Sequence, residues 1–293
     1  MRSEAPGYLA DRITFAVFQR PGCAASGAGR VTLRRLAPVS GWDTKVTGVS
    51  VPEANPRPDA EIERVLAVVA HPDDIDFGAA GSIALWTRAG IEVSYCIVTD
   101  GQAGGFEPDR DRAEIPAVRR AEQTAAAAHV GVHDLHFLGY EDGSVEPTKD
   151  LVRDIVRVIR QVRPQRLLGQ SPDRNWARLP VSHPDHLATA EATVRAFYPA
   201  AGNPFAFSEL EGEALSAWGI GELWMMEHPE ANHYVDITDV FDRKLAALMS
   251  HASQHPDPDG LPARMRDWMT RNAATAGLPP GHLAEPFTVI RLG

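Results

Sequence analysis

From about residue 64 to about residue 255, short apolar runs alternate with longer segments whose apolar residues return every three to four positions. Val65 to Ala70 is nearly all apolar, the pattern of a strand buried on both faces. Gly78 to Ala89 has helical character, and Gly90 stands where a helix stop is needed. Val93 to Val98 reads as a second strand, residues 112–129 as a long helix, and Asp134 to Leu138 as a third strand. The helix predicted over 148–162 carries Leu151, Ile155, Val158, Ile159 and Val162 close to the 3.6-residue period. Arg166 to Gly169 reads as a short fourth strand, residues 185–198 as helix, Glu222 to Met226 and Val235 to Ile237 as extended, and residues 239–254 as helix. The alternation predicts an α/β fold: a Rossmann-like, mostly parallel sheet with helices on both faces.

The first 60 residues do not share this rhythm. Ile13 to Phe18 and Val31 to Leu36 could form strands, and Pro52, Pro56 and Pro58 then read as a linker or surface loop. The expected organisation is an N-terminal extension over 1–60 and a catalytic α/β domain over 61–293.

Charge narrows the partners. The chain of 293 residues has 29 basic and 39 acidic side chains, a formal net charge of −10. Such a surface repels nucleic-acid phosphates and anionic lipid, so neither is an expected partner. Two cysteines, Cys23 and Cys96, argue against both a disulfide framework and a thiolate metal cluster. No apolar stretch is long enough to span a bilayer, and Met1 to Ala10 lack the apolar block of a signal peptide, which makes the cytoplasm the expected compartment. The apolar stretch with Trp218, Trp224, Met225 and Met226 is read as core or as a contact in a homo-oligomer.

In open parallel sheets, ligands bind beyond the carboxyl ends of the strands. The first strand runs into Ala70-His71-Pro72-Asp73-Asp74-Ile75-Asp76. Carboxylates crowded there repel one another unless a cation binds between them, and His71 with Asp74 offers the nitrogen and oxygen donors that suit zinc. The plain alternative is a solvated turn with a helix cap. After the fourth strand comes a second cluster, His183-Pro184-Asp185-His186. Together the two clusters supply the histidine, carboxylate and histidine of a three-ligand site with an open position. Asp100 and Gly101 end the second strand and are expected to line the same crevice.

The set AHPDDID, then Thr99-Asp100-Gly101, then HPDH resembles the PIG-L/LmbE family of zinc-dependent N-deacetylases, over roughly residues 64 to 255. The segment VDITDVFDRKLAALMSHASQ is similar to that family's C-terminal helix and its entry. The resemblance implies one Zn2+ per chain held by His71, Asp74 and His186, a site that would also accept other divalent transition metals. It implies Asp73 as general base, His183 beside the developing oxyanion, and Arg119, with Glu122 in an R-x-x-E helix motif, as a substrate-holding residue. The implied substrate is an N-acyl, chiefly N-acetyl, amino-sugar small molecule or glycoconjugate. Val181 stands where some relatives carry a tyrosine, so that assistance is absent here. The rival readings are a nucleotide- or sugar-binding protein on the same sheet and a metal-binding homologue without turnover. Against them, the first turn has no G-x-G-x-x-G, and the base Asp73 is present.

Other histidines weigh less. His129, His133 and His136 straddle a helix-to-strand turn, and His251 with His255 reads as a helix end meeting its dipole. Asp76 is expected either to orient His71 or to cap a helix.

Overall fold

The structure, a computed structural model, describes residues 52–106 and 111–292. The predicted strands at Ile13 to Phe18 and Val31 to Leu36 lie outside the described residues, as does Cys23. Strands β1 (Arg64–Val69), β2 (Glu92–Thr99), β3 (Asp134–Tyr140), β4 (Arg166–Gln170), β5 (Glu222–Met226), β6 (His233–Asp236) and β7 (Ala284–Arg291) form one sheet in the order β3-β2-β1-β4-β5-β7-β6. The pairs β3-β2, β2-β1, β1-β4 and β4-β5 are parallel. β7 runs antiparallel to both β5 and β6. The sheet is thus mostly parallel, as the alternating pattern requires.

The helices are α1 (Asp74–Arg88), α2 (Ile115–His129), α3 (Lys149–Val162), α4 (Pro184–Arg195), the single turn α5 (Glu209–Gly212), α6 (Phe241–Met249) and α7 (Leu261–Thr275). β1 explains why two layers are needed. Its Val65, Ala67 and Val69 pack with α1, α2, α6 and α7, while Leu66 and Val68 pack with α3 and α4 on the opposite face. Alternate side chains of one strand therefore feed two cores. Chain order reverses between β1, which leads outward through β2 and β3, and β4, which leads the other way. That switch opens a crevice at the carboxyl ends of β1 and β4.

Several elements differ from expectation. Helix α1 begins at Asp74, four residues before Gly78, because Asp74 and Asp76 occupy its first turn, where carboxylates are favourable. The helix predicted over 239–254 breaks into a 3-10 turn at Thr238–Val240, α6, and a second 3-10 turn at Ala252–Gln254. Beyond it lie α7 and β7, which the apolar pattern did not announce. Trp224, Met225 and Met226 are core residues of β5. Trp218 packs its ring under the Arg163 guanidinium and donates to Pro164 O at 2.7 Å. The stretch with Pro56 and Pro58 is held against the sheet. The Arg57 N–H donates to Glu222 Oε2 at 2.7 Å, and the fully buried Arg166 reaches both Arg57 O and Asp59.

Two buried cations organise the periphery. Lys244 on α6 has no exposed surface, and its Nζ donates to Asp76 O at 2.8 Å, Phe77 O at 2.7 Å and Glu285 Oε1 at 2.7 Å. Glu285, on β7 and equally buried, also accepts from the N–H groups of Gly81 and Ser82 and from Ser82 Oγ. An ion pair from the C-terminal part of the chain is thus spliced into the backbone of α1. On the other face, the Arg160 guanidinium has no carboxylate partner among the described residues. It donates to the carbonyls of Ala200, Ala201, Asn203, Ala206, Phe207 and Leu215.

Candidate metal centre and active site

Five strand ends converge on the crevice. β1 delivers His71, Asp73 and, through the start of α1, Asp74. The segment after β4 delivers His183 and His186. The ends of β2, β3 and β5 bring the Gly101 loop, Asp142 and Glu227. Pro184 at the first position of α4 fixes the helix start, and the His183 ring caps it by accepting from the Asp185 N–H at 3.3 Å.

His71, Asp74 and His186 meet in a triangle. His71 Nδ1 lies 3.2 Å from His186 Nε2, which lies 3.1 Å from Asp74 Oδ1, and Asp74 Oδ2 is 3.4 Å from His71 Nδ1. Ligand atoms around a tetrahedral divalent ion with bonds of about 2.0–2.1 Å sit about 3.3 Å apart, and the three contacts are near that length, the two to Asp74 ending on different oxygens of its carboxylate. The remaining ring nitrogens face acceptors. His71 Nε2 lies 3.1 Å from Asp142 Oδ1 and 3.2 Å from Asp185 Oδ2, while His186 Nδ1 lies 3.1 Å from Val181 O and 3.5 Å from Glu227 Oε2. Those acceptors hold a hydrogen on the outer nitrogen, so that with an ion bound the inner nitrogen would face it. Asp142 and Asp185 are themselves engaged by backbone N–H groups, Asp142 by Ala103 at 2.9 Å and Asp185 by Gly143 at 2.6 Å and Val145 at 3.2 Å. They face the outer nitrogen of His71; among the described residues, His71 with His183 and His186, and His71 with Asp142 and Asp185, also bring metal-donor atoms together.

The electrostatics state the same demand. Burial pulls the His71 pKa down, yet its hydrogen bonds to Asp142, Asp185 and Asp74 outweigh this and push it up to about 12. Burial likewise opposes protonation of His186, but the Asp74 carboxylate raises it to about 10. The cluster of carboxylates holds positive charge, as protons or as a metal cation.

Asp73 has a left-handed backbone, φ 85°, and lines the crevice beside His71, His183 and His186. Burial pushes its carboxyl up to about 6, against the pull of the Arg119 guanidinium, whose Nη2 is 3.4 Å from Asp73 Oδ2. The His183 ring centroid is 5.1 Å from that of His71. Burial and the neighbouring imidazoles lower the His183 pKa, so this ring is neutral near neutral pH.

Arg119 lines the crevice beside Asp73. It is 3% exposed and donates to Pro72 O at 2.5 Å and Gly101 O at 3.3 Å. Gly101 has φ +62°, and a Cβ there would meet Arg119 at 2.8 Å, so the close approach requires glycine. Asp100 is not brought into the crevice lining: both of its oxygens accept from Arg120 at 2.7 Å. Asp76 touches neither His71 nor the α1 amides; it bonds Gln123 and His251. His251 is accordingly a buried partner of Asp76, not a dipole-facing helix end. Sequence reasoning did not single out Asp142, Glu227, Gln123 or Gln254. Asp142 was findable, since it stands two residues beyond the end of β3, where strand-end chemistry is to be sought.

The PIG-L family profile, described as GlcNAc-PI de-N-acetylase, matches residues 66–197. Diacetylchitobiose deacetylase of Thermococcus kodakarensis is 32% identical over 201 residues, covering 68% of this chain and 73% of that protein. The chain belongs to the PIG-L/LmbE family of N-deacetylases. A probable N-acetyl-α-D-glucosaminyl L-malate deacetylase of Bacillus cereus is 34% identical over 195 residues, 65% of this chain and 83% of the relative. Among solved structures, N,N′-diacetylchitobiose deacetylase from Pyrococcus horikoshii superposes with a TM-score of 0.73 at 25% identity, covering 80% of this chain and 86% of that one. As a PIG-L/LmbE family member the protein is a hydrolase acting on amide bonds, with a histidine–aspartate cluster able to hold a metal. Among the described residues, no helix is long and apolar enough to cross a membrane.

Proposed function

We propose that the protein hydrolyses the N-acetyl group of an amino-sugar-containing small molecule or conjugate, with one zinc ion held by His71, Asp74 and His186. The observation that carries the reading is the triangle of inward-facing lone pairs with both outer imidazole nitrogens hydrogen-bonded away. An ion there supplies Lewis acidity, lowering the pKa of water and polarising the amide carbonyl. The relatives' names supply the substrate class: diacetylchitobiose, an N-acetylglucosaminyl malate and an N-acetylglucosaminyl inositol.

The chain's own groups complete the reaction. An Asp73 carboxyl oxygen accepts the proton of the attacking water, and its raised pKa fits a base that must later release that proton. Arg119 fixes the loop that carries Asp73 by binding Pro72 O and Gly101 O, and its charge limits how far the Asp73 pKa rises. His183, across the crevice, donates a hydrogen bond toward the oxygen that gains charge as the carbonyl carbon becomes tetrahedral. Collapse breaks the C–N bond, and the proton held by Asp73 passes to the departing amine, giving acetate and a free amino sugar. Asp100 has no part in this reading, because Arg120 holds both its oxygens.

The test is primary-amine release from N,N′-diacetylchitobiose and N-acetylglucosamine conjugates, run beside metal analysis with and without chelator. About one zinc per chain and chelator-sensitive release are expected. Full activity in metal-stripped protein would overturn the reading.

A further inference from the structure

The Asp73 backbone is left-handed, a conformation that a residue with a Cβ keeps only when its surroundings enforce it. What enforces it is a chain of three buried side chains from three elements. The Asp73 N–H donates to Gln123 Oε1 at 2.8 Å. Gln123 Nε2 donates to Asp76 Oδ2 at 2.9 Å, and His251 Nε2 faces the same oxygen at 2.8 Å. Gln123, Asp76 and His251 have no exposed surface.

The chain of bonds has a direction. An amide side chain has one accepting and one donating end, and only the donating end can face a carboxylate. Asp76 therefore sets the orientation of Gln123, which leaves Oε1 toward the Asp73 N–H. His251 in turn holds Asp76 from the far side, its Nε2 carrying the hydrogen because it faces a carboxylate. The turn that bears His251 is docked independently: the Ser253 N–H and Oγ donate to Glu122 on α2 at 2.8 and 2.7 Å. The family match ends at residue 197, so the far end of this chain of bonds lies outside the matched segment.

We propose that His251, Asp76 and Gln123 are positioning residues that hold the left-handed backbone of Asp73 and so aim its carboxyl into the crevice. The inference rests on the reading of Asp73 as the base. None of the three need touch substrate; each acts through the next.

The experiment compares His251→Ala, His251→Gln and Gln123→Leu with the parent enzyme. Three quantities are read: kcat and KM for amine release from N,N′-diacetylchitobiose, metal content, and hydrogen exchange at the Asp73 amide by NMR. His251→Ala and Gln123→Leu should lower kcat by about 10²-fold, the scale of a 1 Å misplacement, with KM and metal content unchanged. Exchange at the Asp73 amide should speed up about tenfold or more in both. His251→Gln, which keeps an N–H toward Asp76, should recover most of both losses. Unchanged exchange in His251→Ala and Gln123→Leu would overturn the proposal, as would faster exchange with kcat within about twofold of the parent. A kcat loss that follows loss of metal would also overturn it, assigning the chain of bonds to the metal ligands. If the parent enzyme releases no amine, the reading of function falls, and the exchange measurement still decides whether His251 and Gln123 hold Asp73.

Discussion

Replacing Lys244 by methionine tests how strongly the C-terminal part of the chain governs α1. Methionine keeps the length and the apolar stem and removes only the charge. The Lys244 Nζ makes three bonds, to Asp76 O, Phe77 O and Glu285, and neither member of the pair is exposed. Its removal leaves Glu285 ionised in the interior with three neutral donors, the Gly81 and Ser82 N–H groups and Ser82 Oγ. Breaking one side of a buried pair costs about 3–5 kcal/mol, a large share of the roughly 5–15 kcal/mol that stabilises a domain. At about 2–4 °C per kcal/mol for a fold of this size, the melting temperature should fall by about 6–20 °C. The decisive comparison is the double variant Lys244→Met with Glu285→Leu. It removes both charges and leaves no unpaired carboxylate in the interior, so it should be more stable than Lys244→Met alone. Urea unfolding of the parent, of Lys244→Met and Glu285→Leu singly, and of the double variant, followed by circular dichroism, gives the three losses and their coupling. A single variant within about 1 kcal/mol of the parent, or a double variant whose loss equals the sum of the singles, would refute the argument.

Four further outcomes are expected. Asp73→Asn should lower kcat by about 10²–10⁴-fold while the metal stays bound; metal loss on substitution would make Asp73 a ligand instead. His186→Ala should lose the metal, measured by elemental analysis of the purified protein. Because the deprotonated Asp73 is the working form, kcat/KM should rise with pH up to a midpoint at or below about 6, a bound cation lowering it further; a limb centred well above that value excludes Asp73 as base. Arg120→Gln should leave kcat and KM within about twofold of the parent, since Arg120 meets Asp100 outside the crevice; a selective rise in KM would return Asp100 to the substrate site.

The parallel half of the fold was legible because its strands are short, mainly apolar runs set between longer segments, one of which, α3, keeps a clear helical period. Val65 to Ala70 announced β1, and Leu151 to Val162 announced α3. β7 escaped for a specific reason: Glu285 and Pro286 interrupt its apolar run. Both are there for contacts that a one-dimensional pattern does not hold, an ion pair with Lys244 and an antiparallel pairing opposite Tyr234. Helix α7 places Leu261, Met265, Met269 and Ala273 inward at four-residue spacing, a signal diluted by the charged residues between them. In the site, the residues of the two His-Pro-Asp clusters could be read because they are contiguous. Asp142, Glu227 and Gln123 come from separate strand ends and from α2, and only the sheet order brings them against the residues of the crevice. The pairing of Asp100 was not legible, because strand-end position says nothing about a neighbouring arginine, and Arg120 lies one turn into α2.

The segment from Ala200 to Leu215 is fastened to α3 through its carbonyls, all collected by the Arg160 guanidinium. A carbonyl is the one acceptor that every amino acid carries. The path of this loop is therefore written in groups that substitution of its own side chains cannot remove, while a single change at Arg160 would release six anchor points together. These anchors are thus indifferent to the loop's own side chains and dependent on one residue about forty positions earlier. Variation at its exposed positions, such as Phe205, can alter the surface that the loop presents without touching those anchors, whereas Leu210 and Ala201 are tied to the core.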